Sequence, residues 1–329
     1  VTDYMLELPW QEQNWKRLLS AKVSGRLPHA LLLTGTQGLG KYRFAVRLAA
    51  SLLCKSPDQS GRPCGSCQSC HLFKADTHPD FTLIEPEGPG KAIKIDTIRE
   101  FTEKESLTSQ SGGYKVTIIE PADAMNTAAV NSLLKTLEEP VSWTVMILIS
   151  NRPGRLLATV RSRCQQYAFS APDRRQSVQW LSGHVGQADP ALLLALGSGA
   201  PLEALKLADP ETLSERKKML DEFVAVMSHQ QDPVMAAERW NKQDLSRSLH
   251  WLCGWLIDMI RLKMVPESPG LINLDQRECL QALGLKLESR ELYLFLDRVY
   301  QAIRTLGSQL NSQMILEGVL LMASKGNNN

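Results

Sequence analysis

The sequence predicts an α/β module with a parallel sheet over residues 1–170, followed by a region that is helical throughout. Three observations carry this. Apolar runs of strand length alternate with helix-period stretches as far as Phe169. A glycine-rich turn sits where the first such strand meets the first helix. From Ala171 onward the strand signal stops and only helical periodicity remains.

Composition sets the outer bounds. The chain has 329 residues, 43% of them hydrophobic and 22% charged, ordinary for a globular protein with two or three cores. Its net charge of +2 supplies no global field for nucleic acid, so any such contact must be local. No run of 18 apolar residues occurs and the start does not read as a signal peptide, so no membrane span and a cytoplasmic location are expected. Of the 7 cysteines, four are clustered, which suits a reducing compartment and a metal better than disulfides.

Residues 1–29 carry Trp10 and Trp15, with a helical pattern on Trp15, Leu18, Leu19 and Val23 that reads as a helix docked ahead of the first core strand. That strand is Ala30 to Leu33. It runs into Gly35-x-x-x-x-Gly40-Lys41, the spacing of a phosphate-binding loop, with Gly38 between. Glycines let successive backbone N–H groups converge on an anion, and the following helix adds partial positive charge. Lys41 would reach the outer phosphates. The next position calls for a serine or threonine hydroxyl on the magnesium, and Tyr42 stands there instead. The helix from Lys41 to Leu53 buries Ala45, Leu48, Ala49 and Leu52.

Cys54-x9-Cys64-x2-Cys67-x2-Cys70 follows, interleaved with Gly61, Pro63 and Gly65. Four thiolates at this spacing fit tetrahedral zinc, the first ending a helix and the others on knuckle turns. No base or open coordination position accompanies them, so the zinc is read as structural, able to supply on the order of 10 kcal/mol of local folding energy. His71 is read as a surface residue.

Asp80 to Ile84 reads as the next strand, Glu85 to Lys91 as an irregular loop, and 93–107 as a helix on Ile95, Ile98 and Leu107. Lys115 to Glu120 is a strand whose end should carry, in an ATPase, an aspartate for magnesium and a glutamate for the attacking water. The pair is Glu120-Pro121, with Asp123 two residues beyond the catalytic position; Glu120 also reads as a plain surface carboxylate. Asn126 to Glu139 is a helix facing inward through Val130, Leu133, Leu134 and Leu137 and stopped by Pro140. Thr144 to Ser150 is a buried strand, and a last short one lies near Gln165 to Phe169 after Ser162-Arg163-Cys164. Arg152, Arg155, Arg161 and Arg163 cluster in sequence and are read as facing a partner or its nucleotide. Short glycine-broken helices fill 172–208, and about five longer ones fill 210–324, with Trp251 and Trp255 as packing residues.

The order of P-loop, four-cysteine knuckle, Leu133-Leu-Lys-Thr-Leu-Glu-Glu-Pro140, Ser162-Arg163-Cys164 and a helical final third resembles the delta-prime subunits of the bacterial DNA polymerase III clamp loader. More distantly it resembles that loader's ATP-hydrolysing subunits. The resemblance implies an AAA+ fold: a RecA-like module with a zinc knuckle over 1–170, a helical lid over 171–208 and an all-α collar domain over 209–329. It implies a hetero-oligomer with ATPase subunits and a clamp-opening subunit, acting on a sliding clamp and primed DNA within a DNA-directed DNA polymerase (nucleotidyltransferase) holoenzyme. It also implies that Arg163 is an arginine finger entering a neighbour's ATP site, with Arg161 as the fallback. A salt bridge at the sheet edge is the bland alternative for Arg163.

The departures count as much as the matches. Tyr42 replaces the metal's hydroxyl ligand, Pro121 replaces the catalytic carboxylate, and Leu202 stands where the lid of active members places an arginine. These losses predict no ATP hydrolysis by this chain, with ATP binding left open by Gly35, Gly38, Gly40 and Lys41. The competing readings are an ATPase using Glu120 or Asp123, and a zinc-dependent DNA-binding module. The second is disfavoured because only Lys55, Arg62 and Lys74 flank the cysteines.

Overall fold

The computed structural model of the chain describes residues 8–88, 90–105, 109–305 and 311–325. Leu107, Leu306 and the polar residues 326–329 lie outside them. The chain forms two compact units that divide after Pro172.

The first unit follows the order α1 (Glu12–Val23), β1 (Ala30–Thr34), α2 (Lys41–Leu53), α3 (Gln68–Lys74), β2 (Phe81–Ile84), α4 (Ile95–Glu105), β3 (Lys115–Ile119), α5 (Thr127–Glu138), β4 (Thr144–Ser150), α6 (Ala158–Arg163) and β5 (Gln165–Ala168). The five strands form one parallel sheet in the order β2-β3-β4-β1-β5. β1, β3 and β4 are buried at every position, as central strands covered on both faces must be. One face packs Leu32, Ile119 and Leu148 against Ile98, Leu133 and Val160 of the helices. On α2, Phe44 meets Trp15 and Phe169 edge-on, at 5.7 and 5.1 Å between ring centres.

Three details differ from the sequence reading. Val23 is 88% exposed, so the buried stripe of α1 consists of Trp15 and Leu18. The fourth cysteine is not on a turn: Cys70 sits in the first turn of α3, a helix too short to show periodicity. The long helices of the second unit number six among the described residues rather than about five.

That unit begins with α7 (Arg174–Ser182), α8 (Pro190–Leu196) and α9 (Pro201–Lys206), which close a small core on Leu181, Leu193, Leu194 and Ala204. Then come α10 (Pro210–Met227), α11 (Pro233–Trp240), α12 (Leu245–Met264), α13 (Arg277–Lys286), α14 (Ser289–Thr305) and α15 (Ser312–Lys325). α8, α10 and α11 each open on Asp-Pro. The aspartate accepts backbone N–H bonds at the cap, and proline fits the first turn. Asp232-Pro233 was the legible signal for the separate α11. Trp251 and Trp255 lie in the core, and the Trp255 indole donates to Gln276.

Candidate functional site: a phosphate loop, a four-cysteine centre and an edge arginine

The loop between β1 and α2 has the form of a nucleotide cradle. Gly35, Gly38 and Gly40 all adopt positive φ (143°, 80° and 82°), and Gly40 caps α2. The loop is braced from outside: the buried Gln11 amide donates to the carbonyls of Leu39 and Gly40 at 2.9 Å, and the Trp10 indole donates to Leu39 at 3.1 Å. A Cβ on Gly35 would lie 2.3 Å from the Phe169 carbonyl oxygen, so this glycine is required by the backbone beside it whether or not a phosphate is present.

Lys41 is buried, and its ammonium donates to the Thr36 carbonyl and to Asn151 Oδ1, both at 2.7 Å. Asn151 was not singled out from sequence. It follows β4 directly, and Thr34 of β1 pairs in register with Ser150 of β4, so it emerges beside the loop. The signal was a polar side chain at the end of a buried strand, and reading it required the strand order.

The positions that an ATPase would use for magnesium and water hold Tyr42, Glu120 and Pro121. Burial, with Glu85, Glu120 and Asp76 nearby, pushes the Tyr42 phenol up to about 12. Burial also pushes the Glu120 carboxyl up to about 7; Glu85 adds to the shift and Lys41 opposes it. Pro121 offers no carboxylate. Asp123 accepts a 2.6 Å bond from the Ser150 hydroxyl, which commits it to the end of β4. Leu202 is the second residue of α9 and half-buried.

The four sulfurs of Cys54, Cys64, Cys67 and Cys70 lie within 4.8 Å of one another, and none is in a disulfide. Zinc–sulfur bonds of about 2.3 Å in a tetrahedron place sulfurs roughly 3.8 Å apart; the Cys64–Cys70 pair is at 3.9 Å. Backbone N–H groups of Cys64, Cys67 and Cys70 point at the sulfurs of Cys54, Cys64 and Cys67 at 3.2, 3.4 and 3.5 Å. Such bonds stabilise thiolates. The N–H groups of Ser66 and Cys67 draw the Cys64 thiol down to about 6, while burial pushes Cys54 and Cys70 up. The set fits one tetrahedral metal ion and is compatible with zinc. His71 is exposed.

Arg163 ends α6, and Cys164 behind it is buried, which pushes its thiol up to about 12. The guanidinium is folded back: Nη2 meets Glu138 Oε1 at 2.5 Å and Nη1 donates to the Thr159 carbonyl at 3.0 Å. Glu138 belongs to the same Leu133–Pro140 motif, so the two signature stretches touch. In the chain by itself the edge salt bridge is what Arg163 makes. The arginines close in sequence separate in space. Arg152 follows the C-terminal end of β4, whereas Arg161 and Arg163 precede the N-terminal end of β5.

Comparison with known proteins fits this geometry. Residues 10–173 match the family described as DNA polymerase III, delta subunit, and residues 210–325 match its C-terminal counterpart. DNA polymerase III subunit delta' of Pseudomonas aeruginosa is 36% identical over 321 residues, covering 95% of this chain and 96% of that protein. The Escherichia coli subunit delta' is 36% identical over 256 residues, covering 77% and 76%. A DNA polymerase III gamma subunit-related protein of Thermotoga maritima shares the fold, with a TM-score of 0.50 at 17% identity over 97% of this chain and 100% of that one. No described helix is long and apolar enough to cross a membrane. A parallel P-loop sheet with a four-cysteine centre, a helical second unit and similarity to subunit delta' along nearly the whole length place this chain, with its AAA+ fold, in the DNA polymerase III subunit delta' family.

Proposed function

We propose that this chain is a non-hydrolysing, stator-like subunit of the DNA polymerase III clamp loader that lends Arg163 to the ATP site of a neighbouring subunit. The carrying observation is the position of Arg163 in the sheet. Gln165 opens β5 level with Leu31 of β1. Gly35, just past the end of β1, lies four residues beyond Leu31, about 13 Å at ~3.3 Å per residue, and Arg163 lies two residues before Gln165. The arginine and the chain's own phosphate loop are therefore at opposite ends of the sheet. An arginine at that end is out of reach of a nucleotide in the chain's own loop, which supports a role at the site of a neighbouring chain.

Tyr42, Pro121 and the engaged Asp123 support the absence of hydrolysis. The cradle Gly35, Gly38, Gly40 and Lys41 would hold ATP without turnover, once Lys41 exchanges Thr36 and Asn151 for phosphate oxygens. In this reading the partners are the ATPase subunits and the clamp-opening subunit, and the assembly acts on a sliding clamp and primed DNA. The three-part division at 170 and 208 belongs to the same reading, with 171–208 as a lid and 209–329 as a collar. An active ATPase is the second reading, favoured by the Glu120 carboxyl at about 7 beside Lys41, a value suited to a general base.

The test is DNA-stimulated ATP turnover by a reconstituted loader containing this chain or its Arg163→Ala form, with the chain alone as control. A silent control and a loss of tenfold or more are expected, against roughly 10³ to 10⁵ for a full finger in phosphoryl transfer. Turnover by the chain alone would move the ATPase reading ahead. An unchanged rate in the variant loader would leave Arg163 as an edge salt bridge.

A further inference from the structure

Behind the four cysteines lies a buried chain of hydrogen bonds. Leu53 immediately precedes Cys54, and Ser69 immediately precedes Cys70. The buried Ser69 hydroxyl donates to the Leu53 carbonyl at 2.7 Å, so one side chain joins the first and last ligand segments. With its proton committed there, Ser69 Oγ accepts from Nε2 of His78 at 2.6 Å. His78 Nδ1 in turn accepts the Asp80 backbone N–H at 3.1 Å. These two contacts fix the ring as the neutral tautomer with its proton on Nε2. His78 is 4% exposed.

The chain does not end at His78. The Asp80 carboxylate accepts the Ser109 hydroxyl at 3.1 Å and the N–H groups of Gln110 and Ser111 at 2.8 Å. Alongside, Phe73 of α3 packs edge-on against Phe81 of β2, 4.7 Å between ring centres. The cysteine loop is thus moored to the sheet at its N-terminal end by one polar and one aromatic contact. Cys54 caps α2 and Cys70 lies on α3, so their separation depends on how these two helices are held.

We propose that Ser69 and His78 are positioning residues of the zinc centre, holding Cys54 and Cys70 at metal-binding separation. Outer-shell partners of this kind typically change metal affinity by about 10–100-fold. The inference rests on the reading of the cysteines as a zinc site.

The experiment is competition for zinc between a chromophoric chelator and the full chain, carried out on wild type, Ser69→Ala, His78→Phe and His78→Gln. Ser69→Ala and His78→Phe are expected to lose roughly 10–100-fold in affinity. His78→Gln, whose amide N–H can take the place of Nε2, is expected to recover most of it. Cobalt-substituted protein adds a spectroscopic signature, with altered thiolate-to-cobalt bands in the two weakened variants. Melting in zinc-loaded and chelated forms separates positioning from plain packing: the variants should lose more thermal stability loaded than chelated. If His78→Phe does not fold, Ser69→Ala and His78→Gln carry the comparison. Wild type that binds no zinc overturns the site itself. Zinc affinity within twofold of wild type in both weakened variants, or equal losses of stability with and without metal, overturns the outer shell alone.

Discussion

The two ends of the parallel sheet differ in what they are equipped to do. At the C-terminal end lies a glycine loop of P-loop spacing, with three glycines at positive φ, a buried lysine and outside braces from Trp10 and Gln11. Tyr42 and Pro121 stand where an ATPase would place its metal and water ligands, which is why hydrolysis is not proposed for it. At the N-terminal end four cysteines converge with their N–H···S bonds made, and a half-exposed arginine waits on a surface ion pair. Packing alone gives parts of such a cradle a reason to stay as they are. Gly35 is required by Phe169, and Lys41 ties the loop to β4 through Asn151.

The largest effect that tests this contrast is metal removal. Chelation should withdraw on the order of 10 kcal/mol of local folding energy from 54–70 while β1, β3 and β4 stay folded. Hydrogen exchange read segment by segment checks this: protection should vanish in the cysteine loop and α3 and persist in the strands. Loss of global helicity on chelation would mean that the two ends are not energetically separate.

At the other end, Gly35→Ala should destabilise the first unit by about 2–3 kcal/mol, because the new methyl meets backbone, which cannot swing away. Gly112→Ala is the control. Its φ is also positive, at 70°, but nothing lies within 4 Å of the added Cβ, so about 1 kcal/mol is expected from backbone strain alone. Denaturant titration of both, each against wild type, measures the difference. Equal losses would remove the claim that the Phe169 backbone adds a packing penalty to the φ strain at Gly35.

Glu120 offers a smaller, pH-dependent effect. Burial raises its folded-state value to about 7 from an ordinary 4.5, so the folded protein binds the extra proton between those limits. Its contribution to stability is therefore fully present below pH 4.5 and is lost as pH rises through 7. Glu120→Gln, which cannot ionise, should match wild type near pH 4.5 and exceed it above pH 7, by on the order of 1–3 kcal/mol. Melting of the two proteins across this range gives the sign directly. A wild-type advantage above pH 7 would instead point to a charged Glu120 paired with Lys41, as a working site would have it.

What the sequence disclosed divides along the same line. Gly35 to Lys41 and the four cysteines were legible because local spacing is itself the mechanism in both motifs. The strand–helix alternation was legible because the central strands β1, β3 and β4 are buried on both faces. Contacts that depend on which strands and helices are neighbours were not. Asn151 is 110 residues from Lys41 and reaches it only because β4 lies beside β1. Glu138 meets Arg163 only because α5 packs on α6. His78 belongs to no motif in the sequence, and its place is set by the partners of its two ring nitrogens. The four arginines from 152 to 163 read as one patch because sequence distance hides the passage from one end of the sheet to the other.

The smallest effect concerns how firmly Arg163 is held at rest. Its partner Glu138 leaves the pair largely open to water, with side chains 35% and 48% exposed. Exposed ion pairs contribute about 0.2–1 kcal/mol, because solvent screens them and both side chains give up rotamer freedom. On the proposed finger role, a transferring phosphoryl group in a site closed to water offers Arg163 more negative charge than one exposed carboxylate does, so the pair should yield when a neighbour's nucleotide arrives. Glu138→Gln is therefore expected to lower the melting temperature by no more than about 4 °C and the turnover of a reconstituted loader by less than about threefold. Arg163→Ala should change that turnover far more. If Glu138→Gln instead matches the loss seen for Arg163→Ala, the carboxylate is orienting the guanidinium in the assembled site, and the resting pair is part of the catalytic geometry.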